Sequence, residues 1–239
     1  MSSDRQDNQI DLILVPQGLE YRAIARGVNR INLPKPKILS VPMGTRSLQY
    51  FLEESKNRQF FRKNSFQKIV LMGLCGSLSS QFQVGDVVIY KDCLYASTNE
   101  LEYCDRQLTQ NLEQILRNPA KKVRGLTSDR LIWAAEEKQS LGKLDDADVV
   151  DMEGYVALKT IKAIFMETTP QIAIVRVVSD NCDRDIPNLE EAIDTNGRLQ
   201  PLSVAASFLQ QPIAAIRLIR GSIEGLRVLE KLTAEIFSG

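Results

Sequence analysis

Acidic side chains stand where two apolar stretches of the chain end. Asp151 and Glu153 interrupt "ADVVDMEGYVALKTI" (147–161), in which a buried strand is predicted to run into a helix. Asp180 ends the apolar stretch "QIAIVRVVSD" (171–180). A carboxylate removed from water can hold a proton near neutral pH, so these acids are candidates for acid–base chemistry. Local structure is an alternative for the first pair, with Asp151 as a helix cap and Glu153 as a partner of the helix dipole.

Two earlier strand exits place charged residues at the start of a helix. "VPQGLEYRAI" places Glu20 and Arg22 at the start of a helix, and "VPMGTRSLQYFLEE" places Gly44 and Arg46 at the start of another. Free amides at a helix N-terminus and the fork of an arginine both fit phosphate or carboxylate. A helix cap, a dipole partner and exposed arginines explain the same residues, so both interpretations stay open.

A third exit, "MGLCGSLSSQFQVGDVVIY", has two glycines that permit close approach of the backbone to a ligand. The spacing of Gly73 and Gly76 does not match the GxGxxG fingerprint, and no GKS or GKT follows. A dinucleotide or triphosphate site is therefore disfavoured. Asp183 and Asp185 form an acidic run after the last strand, which we interpret as a solvated loop rather than a metal site.

The chain contains no histidine among its 239 residues. This excludes the commonest general base, the commonest metal ligand and every triad built on histidine. Chemistry must therefore use carboxylates, arginines, lysines, hydroxyls or backbone amides. The cysteines show no CxxC pair, so free thiols are expected rather than a zinc site or disulfides. They are Cys75, Cys93, Cys104 and Cys182.

Thirty basic residues balance thirty acidic ones, so no overall field attracts nucleic acid or an anionic membrane surface. We therefore expect a small-molecule partner and no nucleic acid. Residues 1–9 are polar and are expected to be disordered. The apolar stretch "IDLILV" is too short for a signal sequence or a membrane span, so a cytoplasmic protein is predicted.

Short apolar stretches alternate with segments of helical spacing, which predicts one α/β domain over residues 1–239, a sheet with helices on both faces. The predicted strands are 10–15, 37–41, 68–73, 85–90, 147–152 and 171–180. The predicted helices are 19–29, 45–57, 106–117, 129–141, 153–166, 201–210 and 212–235. Pro212 separates the last two helices, which are expected to cover the sheet rather than bind a partner.

Three segments, in this order, resemble the purine-nucleoside phosphorylase and methylthioadenosine/S-adenosylhomocysteine nucleosidase superfamily. They are "GLCGSLSSQFQVGDVVIY", "VVDMEGYVAL" and "RVVSDNCD". The segment from "VRVVSDNCD" through the C-terminal helices is most similar to the hopanoid-associated phosphorylases, which remove adenine from an adenosyl-hopane. The resemblance implies a single three-layer domain with a central twisted mixed β-sheet flanked by helices, and a homo-oligomer.

The resemblance also implies roles for the matching residues. Glu153 would accept hydrogen bonds from the ribose 2′ and 3′ hydroxyls, and Met152 would pack on the sugar. Asp180 would protonate or hydrogen-bond N7 of the leaving purine, and Glu20 would position the attacking water of the hydrolases. The residues that would line the sugar and the nucleophile site are Gly73, Leu74, Cys75, Gly76 and Ser77. No metal or organic cofactor is implied.

The acceptor of the sugar is either phosphate or water. "PQGLEYRA" places Arg22 one residue away from the arginine of the "PGDPLRA" loop in hexameric phosphorylases, while Glu20 suits hydrolysis. Arg46, with the amide of Gly44, and the hopanoid-type tail favour phosphorolysis, with inorganic phosphate as co-substrate. Hydrolysis of 5′-methylthioadenosine or S-adenosylhomocysteine is the alternative.

Two positions depart from the pattern of the nucleosidases. Leu74 stands where they carry a serine, and Leu131 stands where an aromatic residue stacks on the base. These departures favour a bulky apolar substrate. The departure at Leu74 also permits a binding protein that has lost turnover. A third possibility is that the fold serves another nucleoside, such as uridine or futalosine.

Overall fold

The computed structural model describes residues 9–31, 34–64, 66–116, 120–165, 169–189, 192 and 200–237. Strands and helices alternate along these ranges. The strands are β1 (Leu12–Pro16), β2 (Lys37–Val41), β3 (Lys68–Ser77), β4 (Val87–Tyr95), β5 (Leu101–Tyr103), β6 (Lys121–Thr127), β7 (Val149–Asp151) and β8 (Gln171–Asp180). The helices are α1 (Leu19–Asn29), α2 (Thr45–Glu53), α3 (Ser55–Asn64), α4 (Arg106–Ile115), α5 (Ala135–Leu144), α6 (Gly154–Ile164), α7 (Pro201–Gln210) and α8 (Pro212–Ile236).

Strand pairing closes most of the sheet into a ring. β3 pairs with β8, β8 with β4, β4 with β6, β6 with β7, and β7 returns to β3. β1 and β2 extend the sheet beside β3, and β5 extends it beside β4. Parallel and antiparallel pairs both occur, so the predicted mixed sheet is confirmed, and the ring brings the ends of β3, β7 and β8 together.

β3 can take part in this ring because it changes partner along its length. Its early residues pair with β1, whereas Gly76 and Ser77 pair with β7. A register shift against β8 falls between Cys75 and Gly76. Such an irregularity bends a strand and redirects its side chains, which explains why this glycine-containing stretch lies at the mouth of the ring.

Alternating side chains of β8 separate two hydrophobic layers. Ile172 and Ile174 belong to the layer under α2, α3 and α6, whereas Ala173 and Val175 belong to the layer under α1, α4 and α8. A third, smaller cluster lies beside α5. Helices thus cover both faces, and the predicted three-layer α/β architecture is confirmed.

Several predicted boundaries are wrong. The helix expected over 45–57 is two helices, because the backbone turns at Glu54. The helix expected over 129–141 begins only at Ala135, since Ala134 is extended and the carbonyl of Trp133 accepts a hydrogen bond from the amide of Ile186. β5 and β6 were not predicted. The expected disorder of residues 1–9 concerns residues that lie, except for Gln9, outside the described ranges. Within those ranges, no helix is long and apolar enough to span a bilayer.

Candidate active site

A fully buried arginine lies where the strands of the ring meet. Arg176 occupies a position on β8 whose alternate neighbours, Ile174 and Val178, are core residues. Its Nε and Nη2 donate to Asp151 Oδ2 at 3.1 and 2.8 Å, and Nη2 also donates to Glu153 Oε2 at 3.2 Å. Asp151 and Glu153 are therefore both counter-ions of one buried cation.

Asp151 has both of its oxygens engaged. While Oδ2 accepts from the arginine, Oδ1 accepts from Thr127 Oγ1 at 2.8 Å and from the backbone amide of Gly154 at 3.0 Å. The second contact satisfies an amide in the first turn of α6. Gly154 must lack a side chain, since a Cβ there would lie 2.8 Å from Asp151 Oδ2. Asp151 thus fixes the start of α6 against β6 and β8.

Glu153 stands at the start of α6 and is 4% exposed. Its Oε1 accepts a hydrogen bond, at 2.9 Å, from the amide of Gly44, the residue that precedes α2. Burial raises the pKa of Glu153, and Asp151 raises it further, whereas Arg176 opposes the shift. The amide of Gly44, which the sequence offered to a phosphate, therefore binds a carboxylate of the protein itself.

Glu20 lies in the first turn of α1, just after β1, and approaches the same cation. Its Oε1 accepts from the amide of Leu74 at 2.7 Å. A Cβ on Gly73 would lie 2.6 Å from that oxygen and would overlap Arg176 Nη1, so only glycine leaves room for both groups. The pKa of Glu20 is raised to about 7, chiefly by burial and further by the charge of Glu153.

Asp180 lies at the end of β8 and is held by a different cation. Its Oδ2 accepts from Lys138 Nζ of α5, and its Oδ1 accepts from Ser179 Oγ at 3.0 Å. Lys138 is completely buried, although α5 lies at the surface. Gly76 packs against this carboxylate, since a Cβ there would lie 3.0 Å from Oδ2.

A cleft of about 160 Å³ opens between these two groups of charges. Its other walls are largely apolar and include Met43, Leu131, Ile132, Ile186 and Leu218. The predicted site residues that line it are Glu20, Leu74, Cys75, Gly76, Met152, Glu153 and Asp180. The cleft is therefore lined by carboxylates, by Arg130 and by apolar side chains, and the ammonium of Lys138 is buried behind Asp180.

Five other predicted site residues lie outside the lining of the cleft. Gly73 and Ser77 are buried behind its wall, and Gly44 contacts it through Glu153. Arg22 and Arg46 are both exposed. Neither arginine lines the cleft, and a phosphate role for them stays a prediction.

A family comparison decides what kind of protein this is. The sequence profile of the Phosphorylase superfamily matches residues 35–210. The chain belongs to the Phosphorylase superfamily. Its members are nucleoside phosphorylases and nucleosidases, enzymes that act on N-glycosidic bonds. A search of curated proteins gave no match, and the finer resemblance to hopanoid-associated members stays a prediction.

Solved structures share the fold of this superfamily member at low sequence identity. Futalosine hydrolase of Helicobacter pylori strain 26695 has a TM-score of 0.65 and 12% identity, covering 95% of this chain and 97% of that one. The 5′-methylthioadenosine/S-adenosylhomocysteine nucleosidase of Neisseria meningitidis, in complex with methylthio-immucillin-A, has a TM-score of 0.65 and 13% identity. The match covers 95% of this chain and 98% of that one. A putative nucleosidase of the same kind from Borrelia burgdorferi B31, bound to adenine, has a TM-score of 0.62 and 15% identity. The match covers 93% of this chain and 98% of that one.

Sequence reasoning missed the two buried cations. A signal for Arg176 exists, because a charged residue inside the apolar stretch of β8 must find carboxylates when it is buried. Lys138 has no such signal, since "AAEEKQSLGKL" has the composition of a solvated helix. Its burial follows from where α5 packs, which the local sequence does not specify.

The first prediction concerns the stability provided by Arg176. Arg176→Leu leaves buried carboxylates without a counter-ion, so we expect the free energy of unfolding to fall by about 3–5 kcal/mol, measured by urea denaturation. Without Arg176, the pKa of Glu153 in the folded protein is higher still. A carboxylate with a raised pKa in the folded state lowers stability as pH increases, so the loss should grow from pH 5 to pH 8.

The control for this measurement is an exposed ion pair. Lys56 pairs with Glu54 on the surface, with 77% and 51% of the side chains exposed. Lys56→Ala should change the free energy of unfolding by no more than about 0.5 kcal/mol. A loss in Arg176→Leu that is no larger than in the control would show that the buried cation does not organise the site.

Proposed function

We propose that this enzyme cleaves the N-glycosidic bond of a purine nucleoside and releases adenine. The observation that carries the proposal is that Glu153 and Asp180, which come from different strand ends, both line one cleft. Breaking an N-glycosidic bond develops positive charge on the sugar and negative charge on the departing base. An anion is needed at the sugar and a proton donor at the base, and the cleft offers one of each.

The sugar would lie beside Glu153. Each oxygen of this carboxylate accepts one hydrogen bond from the protein, from Gly44 or from Arg176, and a carboxylate oxygen has a second lone pair. The ribose hydroxyls would donate to these free positions. Because the carboxylate is held from two sides, it would fix the sugar ring for attack along the line of the breaking bond.

The purine would lie beside Asp180. Lys138 and Ser179 both donate to this carboxylate, so a hydrogen bond between Asp180 and N7 needs an added proton. The ammonium of Lys138 is the nearest source, because it already shares a hydrogen bond with Oδ2. We infer that a proton passes from Lys138 through Asp180 to N7 as the glycosidic bond breaks.

Water is the acceptor that the cleft supports best. The pKa of Glu20, about 7, is suited to removing a proton from a bound water at neutral pH, and this carboxylate lines the cleft near Glu153. The arginines that favoured phosphate in the sequence, Arg22 and Arg46, are exposed and do not line it. Hydrolysis is therefore proposed first, and phosphorolysis is the alternative that the same assay tests.

The substrate would carry an apolar substituent on its sugar. Met43, Ile186 and Leu218 form apolar walls, and Leu74 replaces a polar residue of the nucleosidases at the edge of the site. These side chains suit an adenosyl-hopane type lipid or 5′-methylthioadenosine better than adenosine itself. We propose that no metal or organic cofactor takes part, because the side chains of the site supply the charges that the reaction requires. They are Arg176, Lys138, Glu20, Glu153 and Asp180.

The deciding experiment measures adenine release from 5′-methylthioadenosine, adenosine and an adenosyl-lipid analogue, with and without inorganic phosphate. We expect adenine without phosphate, a free sugar as the second product, and faster release from the two apolar substrates. Adenine that forms only with phosphate, together with a sugar 1-phosphate, would replace hydrolysis by phosphorolysis. Nucleoside binding without any adenine would leave a binding protein instead of an enzyme.

Glu20 gives a pH-dependent prediction. A general base must be deprotonated, so kcat/KM should rise with pH through about 7, the pKa of Glu20 in the free enzyme. Glu20→Gln should lower kcat by about 10²–10⁴-fold and remove this rise. Glu54→Gln, at an exposed carboxylate, is the control and should keep the wild-type profile. A Glu20→Gln variant with the wild-type profile would assign the base elsewhere.

Asp180 and Lys138 are best tested as a pair. Asp180→Asn should lower kcat by about 10²–10⁴-fold, and it should also lower stability because the buried ammonium loses its counter-ion. The double variant Asp180→Asn/Lys138→Met removes both charges, so it should recover thermal stability without recovering kcat. If activity returns together with stability in the double variant, Asp180 acts on folding and not on the leaving purine.

A further inference from the structure

The lining of the active-site cleft contains no aromatic side chain among the residues that the structure describes. Leu131 and Ile132 line it, but Trp133, the next residue, does not. A purine has two flat faces, and contact between such a face and a planar group stabilises binding. If a purine is stacked in this cleft, the planar group has to come from another residue type.

Arg130 supplies a planar group of a different kind. It is the one cationic residue in the described lining of the cleft. A guanidinium is flat and delocalised, and it stacks on aromatic rings and on nucleic-acid bases. The carboxylates of the lining are planar as well, but their negative charge does not suit the electron-rich face of an aromatic ring. Arg130 is therefore the side chain of the cleft that is best suited to contact the face of a base.

The guanidinium of Arg130 is oriented by Glu137 on α5. Its Nη1 donates to Glu137 Oε2 at 3.2 Å, and its Nη2 donates to Glu137 Oε1. The hydrogen bonds of such a bidentate pair lie in the plane of the guanidinium, so they orient this group without using its faces. Because Glu137 also balances the charge of Arg130, an anionic ligand would have to compete with this carboxylate. The pair therefore favours a neutral, flat ligand over an anion.

The backbone at Arg130 is anchored too. The amide of Arg130 donates to Ser128 Oγ at 3.3 Å. The preceding residue, Asp129, accepts from Thr45 Oγ1 at 2.6 Å and from Tyr95 Oη at 2.7 Å, which joins the segment to α2 and β4. An arginine held at its backbone and at its guanidinium loses less conformational entropy when a ligand packs against it.

Consecutive residues of α5 hold Arg130 and Asp180. Glu137 binds Arg130, and Lys138 binds Asp180. Arg130 and Asp180 both line the cleft. A purine that meets Asp180 at N7 would therefore lie within reach of the guanidinium.

We propose that the guanidinium of Arg130 stacks on the face of the purine. The contact involves the base and not the sugar, so free adenine would make it as well as a nucleoside. This inference rests on the proposed function and deepens it, because it names the residue that would bind the base.

The test is adenine binding to the full-length protein, measured by isothermal titration calorimetry. Arg130→Lys keeps the positive charge but removes the plane. We expect this variant to raise the Kd for adenine by about tenfold, which is the order of the contribution that stacking makes to the binding of one base. A wild-type Kd in Arg130→Lys would overturn the stacking role.

The control is an arginine far from these contacts in the sequence. Arg58 is exposed on α3, and Arg58→Lys should bind adenine like the wild type. Thermal unfolding of both variants checks that the fold is intact. Equal loss of adenine binding in the two variants would show that the effect is not specific to Arg130 and would overturn its assignment.

Inorganic phosphate separates stacking from recognition of an anion. If Arg130 stacks on the base, Arg130→Lys should leave any binding of phosphate unchanged while it weakens the binding of adenine. Weaker phosphate binding with unchanged adenine binding would assign Arg130 to an anion and overturn the proposal.

Steady-state kinetics distinguish failure of this inference from failure of the proposed reaction. Stacking acts on substrate and transition state alike, so Arg130→Lys should raise the KM for 5′-methylthioadenosine about tenfold and change kcat by less than about threefold. Adenine release with wild-type KM in the variant would overturn the stacking role alone. A wild-type protein that neither binds nor releases adenine would overturn the proposed function together with it.

Discussion

The site of this enzyme depends on one buried guanidinium. Arg176 has no exposed surface, and removing an arginine from water is unfavourable unless its charge is compensated nearby. Asp151 and Glu153 both accept hydrogen bonds from it, and Glu20 lies close enough for its pKa to respond to the same charge. These acids come from β7, the start of α6 and the start of α1. A single cation on β8 thus fixes the junction of β7 and α6 relative to the start of α1, which is far from it in sequence.

The same cation explains where glycine is required. Gly73 leaves the space that Arg176 Nη1 and Glu20 share, and Gly154 leaves space for the carboxylate of Asp151. From the sequence, Gly73 was predicted to let a ligand approach the backbone. In the structure its immediate neighbours are charges of the protein itself. Both demands select a glycine within β3, so the residue type alone does not distinguish a ligand contact from an internal one.

The features that could be predicted from the sequence are those determined by residues close together in the chain. The bounds of α1, β2 and β8 agree with the predicted ones, because their periodicity and their flanking residues are local signals. The ring of strands was not predicted, since β7 has only three residues and β6 begins with exposed lysines. The burial of Lys138 was missed for the same reason: it depends on α5 packing beside Asp180, and no residue near Lys138 in the sequence specifies that contact.

Burial of Arg176 also has a chemical consequence for the proposed reaction. An arginine that projected into the cleft beside Glu153 would place positive charge where the sugar becomes cationic, and would oppose bond cleavage. Behind the wall, the guanidinium holds the carboxylates in place while the cleft is lined by Glu20 and Glu153. Burial, and after it the negative charge of Glu153, raises the pKa of Glu20 to about 7, while the charge of Arg176 opposes this shift. The arrangement that stabilises the fold therefore also sets the charge that the reacting sugar would meet.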